Sequence, residues 1–451
     1  MIPSQCAVDH AAERALSNRL YAVLAGMLAM MLCYGIQALA QFSHTALWAF
    51  WCIFWLIMYR VQPNQQLMEL IRPALPLIIW LVLYYLWGAI VSPVPVVLDA
   101  VRQSFFVLTV LVALTITLSR HEYLATFANA AQVGLVVNLI IMLLMANTSW
   151  FQDFLISRNL IQVEEQLKMN RFAGLWGNAN VAAYVSLLII ILSTWSKPWL
   201  AWIGRASGVA ILYMTASRTG TWILVFMLLH ALFVVVRQKR SRLPVVITAT
   251  LLFCMSICAG SIIADSALQR VDNPNISRVV DITESRTRDK GADSRVDVLL
   301  YWKPFLEKAP WYGYGLNAMM GGVHGESTFR SDLPPLGIHN LYLGIWLDIG
   351  VIGMITFLIV IGSQLFKSFR IASTVTNRWA VFSLSLLLPV FSLFNHNMLS
   401  SIDGIIGYIL LFLLPASPAI FSGRAGYSQP LLVRRSKWHS QCSERPGSSA
   451  E

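Results

Sequence analysis

Two arginines and two histidines, each set in a short polar motif, are the residues of this chain best suited to chemistry. Arg171 precedes Asn178 and Asn180 in the run Arg171-Phe172-Ala173-Gly174-Leu175-Trp176-Gly177-Asn178-Ala179-Asn180, and Arg218 lies in Ser217-Arg218-Thr219-Gly220. His339 is followed by Asn340; His396 sits between Asn395 and Asn397, with Asp403 close behind. A guanidinium offers a planar fork of donors that fits phosphate oxygens. An imidazole titrates near neutrality and can take a proton from an attacking hydroxyl. Together these groups suit displacement of a phosphate or pyrophosphate, whose developing negative charge must be met by fixed donors or by a metal. The acid-rich DxD pattern of a metal site is absent from the sequence and His324-Gly325-Glu326 stands alone, so a mechanism without metal or cofactor is expected. Gly313-Tyr314-Gly315 lacks the third glycine of a dinucleotide fingerprint and is read as a turn. No GxxxxGK[ST] run is present, which argues against an ATP-driven pump.

The elements that must position these residues are membrane helices. The chain has 451 residues, 57% of them hydrophobic and only 12% charged. Its mean hydropathy of +0.63 lies far from the soluble balance. Apolar runs long enough to cross the hydrocarbon core recur along it. They are continuous rather than alternating, which excludes a transmembrane β-barrel. The expected fold class is an all-α polytopic membrane protein of about twelve transmembrane helices. The spans fall at 20–40, 43–59, 73–91, 104–119, 125–146, 172–195, 199–215, 219–236, 243–263, 339–362, 379–395 and 402–421. Gln103 and Ser104 make the fourth span polar at its start and Arg205 interrupts the seventh, so ten or eleven helices is the alternative.

Orientation follows from the bias of basic residues in short loops. With the N-terminus inside, cytoplasmic segments and helix ends hold 19 of the 33 Lys and Arg residues. Short external segments hold only Arg102, Arg158, Lys168, Arg171 and Arg218. Both ends of the chain are expected in the cytoplasm. The formal charge of +11 is then mainly this bias, with no need for a nucleic-acid partner. Ala38-Leu39-Ala40 resembles a signal-peptidase site, but the apolar stretch before it is long, so a retained anchor is expected.

Three parts result: a transmembrane domain over 1–421, an external loop at 264–338 inserted between the ninth and tenth helices, and a basic, solvated tail at 422–451. The loop carries nine basic and ten acidic residues and is expected to be partly helical. The segment 295–306 has apolar positions at helical spacing and could lie on the membrane surface. None of the six cysteines falls in this loop; Cys254 and Cys258, four apart on one helical face, are read as packing residues.

This topology brings Arg171, Asn178, Asn180, Arg218, His339, Asn340 and His396 to the outer membrane face, so the activated carrier is expected to be a lipid. Charged groups in or near spans are costly and are functional candidates for that reason. Each also has a plainer reading: the arginines as snorkelling residues, the asparagines as hydrogen bonds between helices, and the histidines as helix cap or structural group.

The stretch 171–183, the turn around Arg218, the run from Arg295 through Trp302 and Pro310 to Gly313-Tyr314-Gly315, and His339-Asn340-Leu341-Tyr342 followed by Gly350 and Gly353 resemble the O-antigen ligase and polymerase superfamily. The similarity covers roughly residues 171–360, and the order of the motifs is more specific than any one of them. The resemblance implies a membrane-embedded glycosyltransferase of the GT-C-like class in a Gram-negative inner membrane, with its active site facing the periplasm. It implies metal-independent, inverting transfer of a glycan from undecaprenyl pyrophosphate to a sugar of the lipid A-core, in lipopolysaccharide biosynthesis. His339 corresponds to the family's essential histidine and Arg218 to an essential arginine. A second essential arginine lies in the long loop and does not align uniquely: Arg288 or Arg295 corresponds to it, with Arg286 behind them. The family also contains O-antigen polymerases and protein O-oligosaccharyltransferases. The latter carry a longer C-terminal region, so the ligase and polymerase readings are favoured, and the single dominant outer loop favours ligase. A secondary transporter or flippase is the reading from another class, with Asp348, nine residues into its helix, as its seed.

Overall fold

A computed structural model describes residues 5–34, 44–61, 67–93, 96–151, 153, 172, 174–176, 178–215, 217–238, 295–318, 337–372, 378–395, 397–399 and 401–417. Regular structure among them is entirely helical. The helices are α1 (Gln5–Tyr34), α2 (His44–Val61), α3 (Leu67–Ile71), α4 (Leu75–Val91), α5 (Val97–Ser119), α6 (His121–Asn147) and α7 (Ala179–Leu192). They continue as α8 (Pro198–Thr215), α9 (Arg218–Gln238), α10 (Arg295–Glu307), α11 (Leu341–Ala372), α12 (Arg378–Ser392) and α13 (Ile402–Leu413). Described helices lie over every predicted span except 243–263, which falls outside the described residues, as do 264–294 and 418–451.

Among the described residues, five helical stretches are long and apolar enough to cross a membrane: Ala15–Cys33, Glu69–Val91, Ala100–Ser119, His121–Asn147 and Leu341–Ile371. Phe50–Val61, Ala179–Trp195, Thr219–His230, Trp379–Ser392 and Ile402–Ala416 are shorter apolar helices. The polar interruption in α8 is accommodated locally. Arg205 Nε donates to Ser193 Oγ at 2.7 Å, and the guanidinium lies 5.7 Å from the Trp202 ring centroid.

Burial separates the helices into a centre and a periphery. In α7, every residue from Ala182 to Leu192 is buried, and in α13 all residues from Ile402 to Leu413 are. A helix buried all round has protein rather than lipid on every side. Accordingly α7 packs on α6, α8, α9 and α12, and α13 packs on α1, α5, α11 and α12. The outer helices turn large apolar side chains away from the protein, among them Leu56, Ile79, Leu83, Ile90, Leu98 and Ile359. A continuous apolar exterior of this kind is suited to lipid rather than water.

Two findings depart from the linear reading. The helix expected over 295–306 forms as α10, but its stripe Val298 and Trp302 is buried within the protein, with Phe305 partly so, and α10 packs against α11. The long helix α11 is broken: Gly350 has φ 82° and ψ 175°. A break releases backbone carbonyls, which in an apolar setting must find other donors. The turn after α10 supplies them. Tyr314 N donates to Leu347 O at 2.6 Å and Gly315 N to Asp348 O at 3.0 Å. Gly313-Tyr314-Gly315 is thus a turn, with φ of 87° at Gly313 and 103° at Gly315.

Candidate functional site

One end of the bundle holds the described residues Asn178, Asn180, Ser217, His339 and Asn340 of the candidate motifs. The starts of α7, α9, α11 and α13, the second half of α4 and the end of α12 meet there through a series of contacts. Ser217 Oγ lies 3.4 Å from Asn180 Oδ1, joining the start of α9 to the first turn of α7. Tyr184, in the next turn of α7, donates to the Asp403 carbonyl at 3.4 Å, and its ring lies 5.3 Å from that of Phe391. Tyr342 in the first turn of α11 donates to the Pro389 carbonyl near the end of α12 at 3.0 Å. Tyr85 donates to the Leu399 carbonyl at 2.6 Å, joining the second half of α4 to the turn before α13.

Four helix N-termini therefore lie at the same end of the bundle. Each N-terminus carries unpaired N–H groups and the positive end of the peptide dipoles, which favour an anion placed there. Some donors are already used. Asn178 caps α7, its Oδ1 accepting from Asn180 N at 2.8 Å and Val181 N at 3.4 Å. Asn340 caps α11, its Oδ1 accepting from Leu343 N at 3.1 Å. Ser217 caps α9, accepting from Gly220 N at 3.3 Å. Gly220 fits tightly here: a Cβ at that position would lie 3.0 Å from Ala183 Cβ.

His339 stands immediately before the α11 cap, with an exposed side chain and φ of 52°. A left-handed backbone costs a non-glycine residue about 1–2 kcal/mol. Strain of this sort persists where the surroundings over-determine a conformation, and it gathers at functional positions. The cap of α11 is thus Asn340, and His339 projects from the turn that precedes it.

The remaining candidates are placed to different extents. Arg218 is the first residue of α9 and Arg295 the first of α10. Arg171, Arg288 and His396 lie outside the described residues. Described contacts link Asn178 and Asn180 to the turn that carries Arg218, while His339 is connected to them through Tyr342, α12 and Tyr184. Sequence reasoning singled out Asp348 but not its partner. Tyr84 on α4 donates to Asp348 Oδ2 at 2.5 Å, and both side chains are buried. Only the alternation of apolar and aromatic residues marks Tyr84 in the sequence, which does not distinguish it from packing residues. Asp403, also buried in the first turn of α13, has an Oδ2 atom without a hydrogen-bond partner among the described residues. Among those residues, no three His, Cys, Asp or Glu side chains gather at metal-binding spacing.

The helical bundle, its apolar exterior and its membrane-length helices define a polytopic α-helical membrane protein. Residues 206–358 match the family model of the O-antigen ligases. The matched region runs from within α8, through Ser217-Arg218, α10 and the Tyr314 turn, to His339-Asn340 and the Gly350 break. It associates the chain with glycan transfer of the O-antigen ligase and polymerase type in lipopolysaccharide biosynthesis, on lipid-linked substrates. No curated protein matches the chain.

Proposed function

We propose that this protein is an O-antigen ligase of the inner membrane. It transfers a glycan from undecaprenyl pyrophosphate to a sugar hydroxyl of the lipid A-core, on the periplasmic face, with inversion and without a metal. The observation that carries this reading is the Ser217–Asn180 contact, which joins the N-terminus of α9, where Arg218 stands, to that of α7, at the same end of the bundle as the exposed, left-handed His339 before α11. The family match to residues 206–358 supports the same class of chemistry.

In this reading the pyrophosphate lies against the positive helix ends, held by Arg218 and Arg171 and by Arg288 or Arg295 from the loop at 264–338. His339 accepts the proton of the acceptor hydroxyl as its oxygen bonds to the anomeric carbon. The bond from that carbon to the pyrophosphate oxygen breaks with inversion, and undecaprenyl pyrophosphate leaves with the electron pair. Guanidinium and backbone donors stabilise that charge without reorganising during the reaction. Asn178, Asn180 and Asn340 support the site as helix caps and contacts, and His396 is a second histidine of the same outer face.

Reconstitution of purified protein with lipid A-core and a polyprenyl-pyrophosphate-linked glycan tests the proposal, read as a gel shift of the acceptor. Glycan on lipid A-core is the expected result. Lengthening of the carrier-linked glycan instead identifies a polymerase, and absence of both products overturns the enzymatic reading in favour of transport.

A further inference from the structure

The break in α11 is the joint through which the loop and the helix are fastened to each other. Gly350 adopts a backbone conformation outside the helix, and a Cβ there would meet the Trp311 carbonyl oxygen at 1.8 Å, so the loop lies directly in the notch. The turn is held from both sides. Tyr314 N and Gly315 N bind the carbonyls of Leu347 and Asp348, while Leu316 N binds the Gly88 carbonyl on α4 at 2.8 Å. The indole Nε1 of Trp87 donates to the Tyr312 carbonyl at 3.2 Å. Under the notch, Tyr84 from α4 holds the Asp348 carboxylate. Above it, the Tyr314 hydroxyl donates to the Phe305 carbonyl at 3.0 Å, which fastens the end of α10 to the turn.

Two levers leave this joint. One is the first section of α11, from Asp348 back to Leu341, a length of about 10 Å at helical rise, with His339 two residues beyond it. The other is α10, anchored by the buried Trp302 and running back to Arg295. The positions of both candidate groups are thus set at one place, remote from either. We propose that the Gly350 notch is a socket that stays filled by the Trp311–Leu316 turn throughout turnover. Tyr84, acting through Asp348, is then a positioning residue for the reaction. This rests on the proposed transferase reading.

The test uses full-length protein in membranes, in a cysteine-free background carrying Gly88→Cys and Leu316→Cys. A Cβ at position 88 lies 3.2 Å from Leu316 Cβ, a few tenths of an ångström inside the usual disulfide spacing, so the seated turn has to give only slightly for the bond to form. Oxidation is expected to cross-link this parent, with transfer retained. Adding Tyr84→Phe or Asp348→Leu removes the hydrogen bond. Each should lower cross-linking and reduce kcat by about tenfold to a hundredfold, with KM for the donor little changed, since small misplacements of reacting groups have effects of that size. Asp348→Asn keeps an acceptor for Tyr84 and should restore most of both readouts. Gly350→Ala should abolish cross-linking, and Tyr84→Phe provides the milder variant should that protein not accumulate. Failure of the parent to cross-link overturns the socket. Loss of transfer on oxidation, regained on reduction, overturns the claim that it stays filled. Full kcat in variants that no longer cross-link overturns the positioning role. A parent without transfer overturns the enzymatic reading, whereas its cross-linking still reports the socket.

Discussion

Ser217 Oγ lies 3.4 Å from Asn180 Oδ1, so the residue that caps α9 also touches the first turn of α7. The turn that presents Arg218 is thereby referred to the most buried region of the bundle. Ser217→Ala removes a cap and should destabilise the fold by about 1 kcal/mol, visible as a lower unfolding midpoint in detergent. It should also reduce transfer. Adding Asn180→Ala should then cost less than it does alone, because the contact that the two residues share is already gone. Additive losses would show that Asn180 acts separately.

The arginines should be sensitive to geometry as well as to charge. Arg218→Lys keeps the charge and loses the fork, so transfer should fall severely while membrane insertion stays normal. Near-normal activity would reduce Arg218 to a point charge or a topology signal. Between Arg288→Ala and Arg295→Ala, only one should abolish transfer, which identifies the loop residue that reaches the pyrophosphate.

General-base help from one side chain typically contributes a factor of about 10²–10⁴. His339→Ala should lower the transfer rate by that order, with donor binding and folding preserved. His396→Ala is the control and should leave most activity. Because protonated imidazole cannot accept a proton, the wild-type rate should decline as pH falls. Lost donor binding in His339→Ala would reassign the residue to the leaving group.

Activity should survive excess EDTA, since guanidinium groups rather than an acidic cluster are proposed to meet the pyrophosphate charge. A loss reversed by Mg²⁺ or Mn²⁺ would refute this.

Orientation is checked by labelling single cysteines with an impermeant thiol reagent. Gly325→Cys should react from the periplasm and Arg240→Cys should not. The reverse pattern would invert the topology and separate the site from its proposed substrates.

Hydropathy made the helices legible, because a span must be continuously apolar, and the described helices lie where those runs fall. The motifs placed Arg218 in a turn just before a helix and His339 at the opening of one; the helices begin at Arg218 itself and at Leu341. What it did not disclose is the fastening between distant segments. The break in α11 was hidden because Gly350 in an apolar run is compatible with an unbroken helix. It depends on the loop residue Trp311 lying against it, and that is a long-range fact. Asp348 was visible as an intramembrane charge, but its partner Tyr84, 264 positions earlier, was not. The apolar stripe of α10 likewise left open whether lipid or protein would cover it. Val298 and Trp302 are covered by protein.

The complete burial of α13 bears on how the protein is made. Its neighbours α1, α5, α11 and α12 all leave the ribosome before it does, yet they line the space it fills. Until Ile402–Leu413 enters, that slot must be held open to lipid or to an insertion factor, and Tyr184 and Tyr408 have not met their final surroundings. Closing of the bundle, and with it the assembly of the end where the four N-termini lie, is therefore a late event of biogenesis that waits on one short helix.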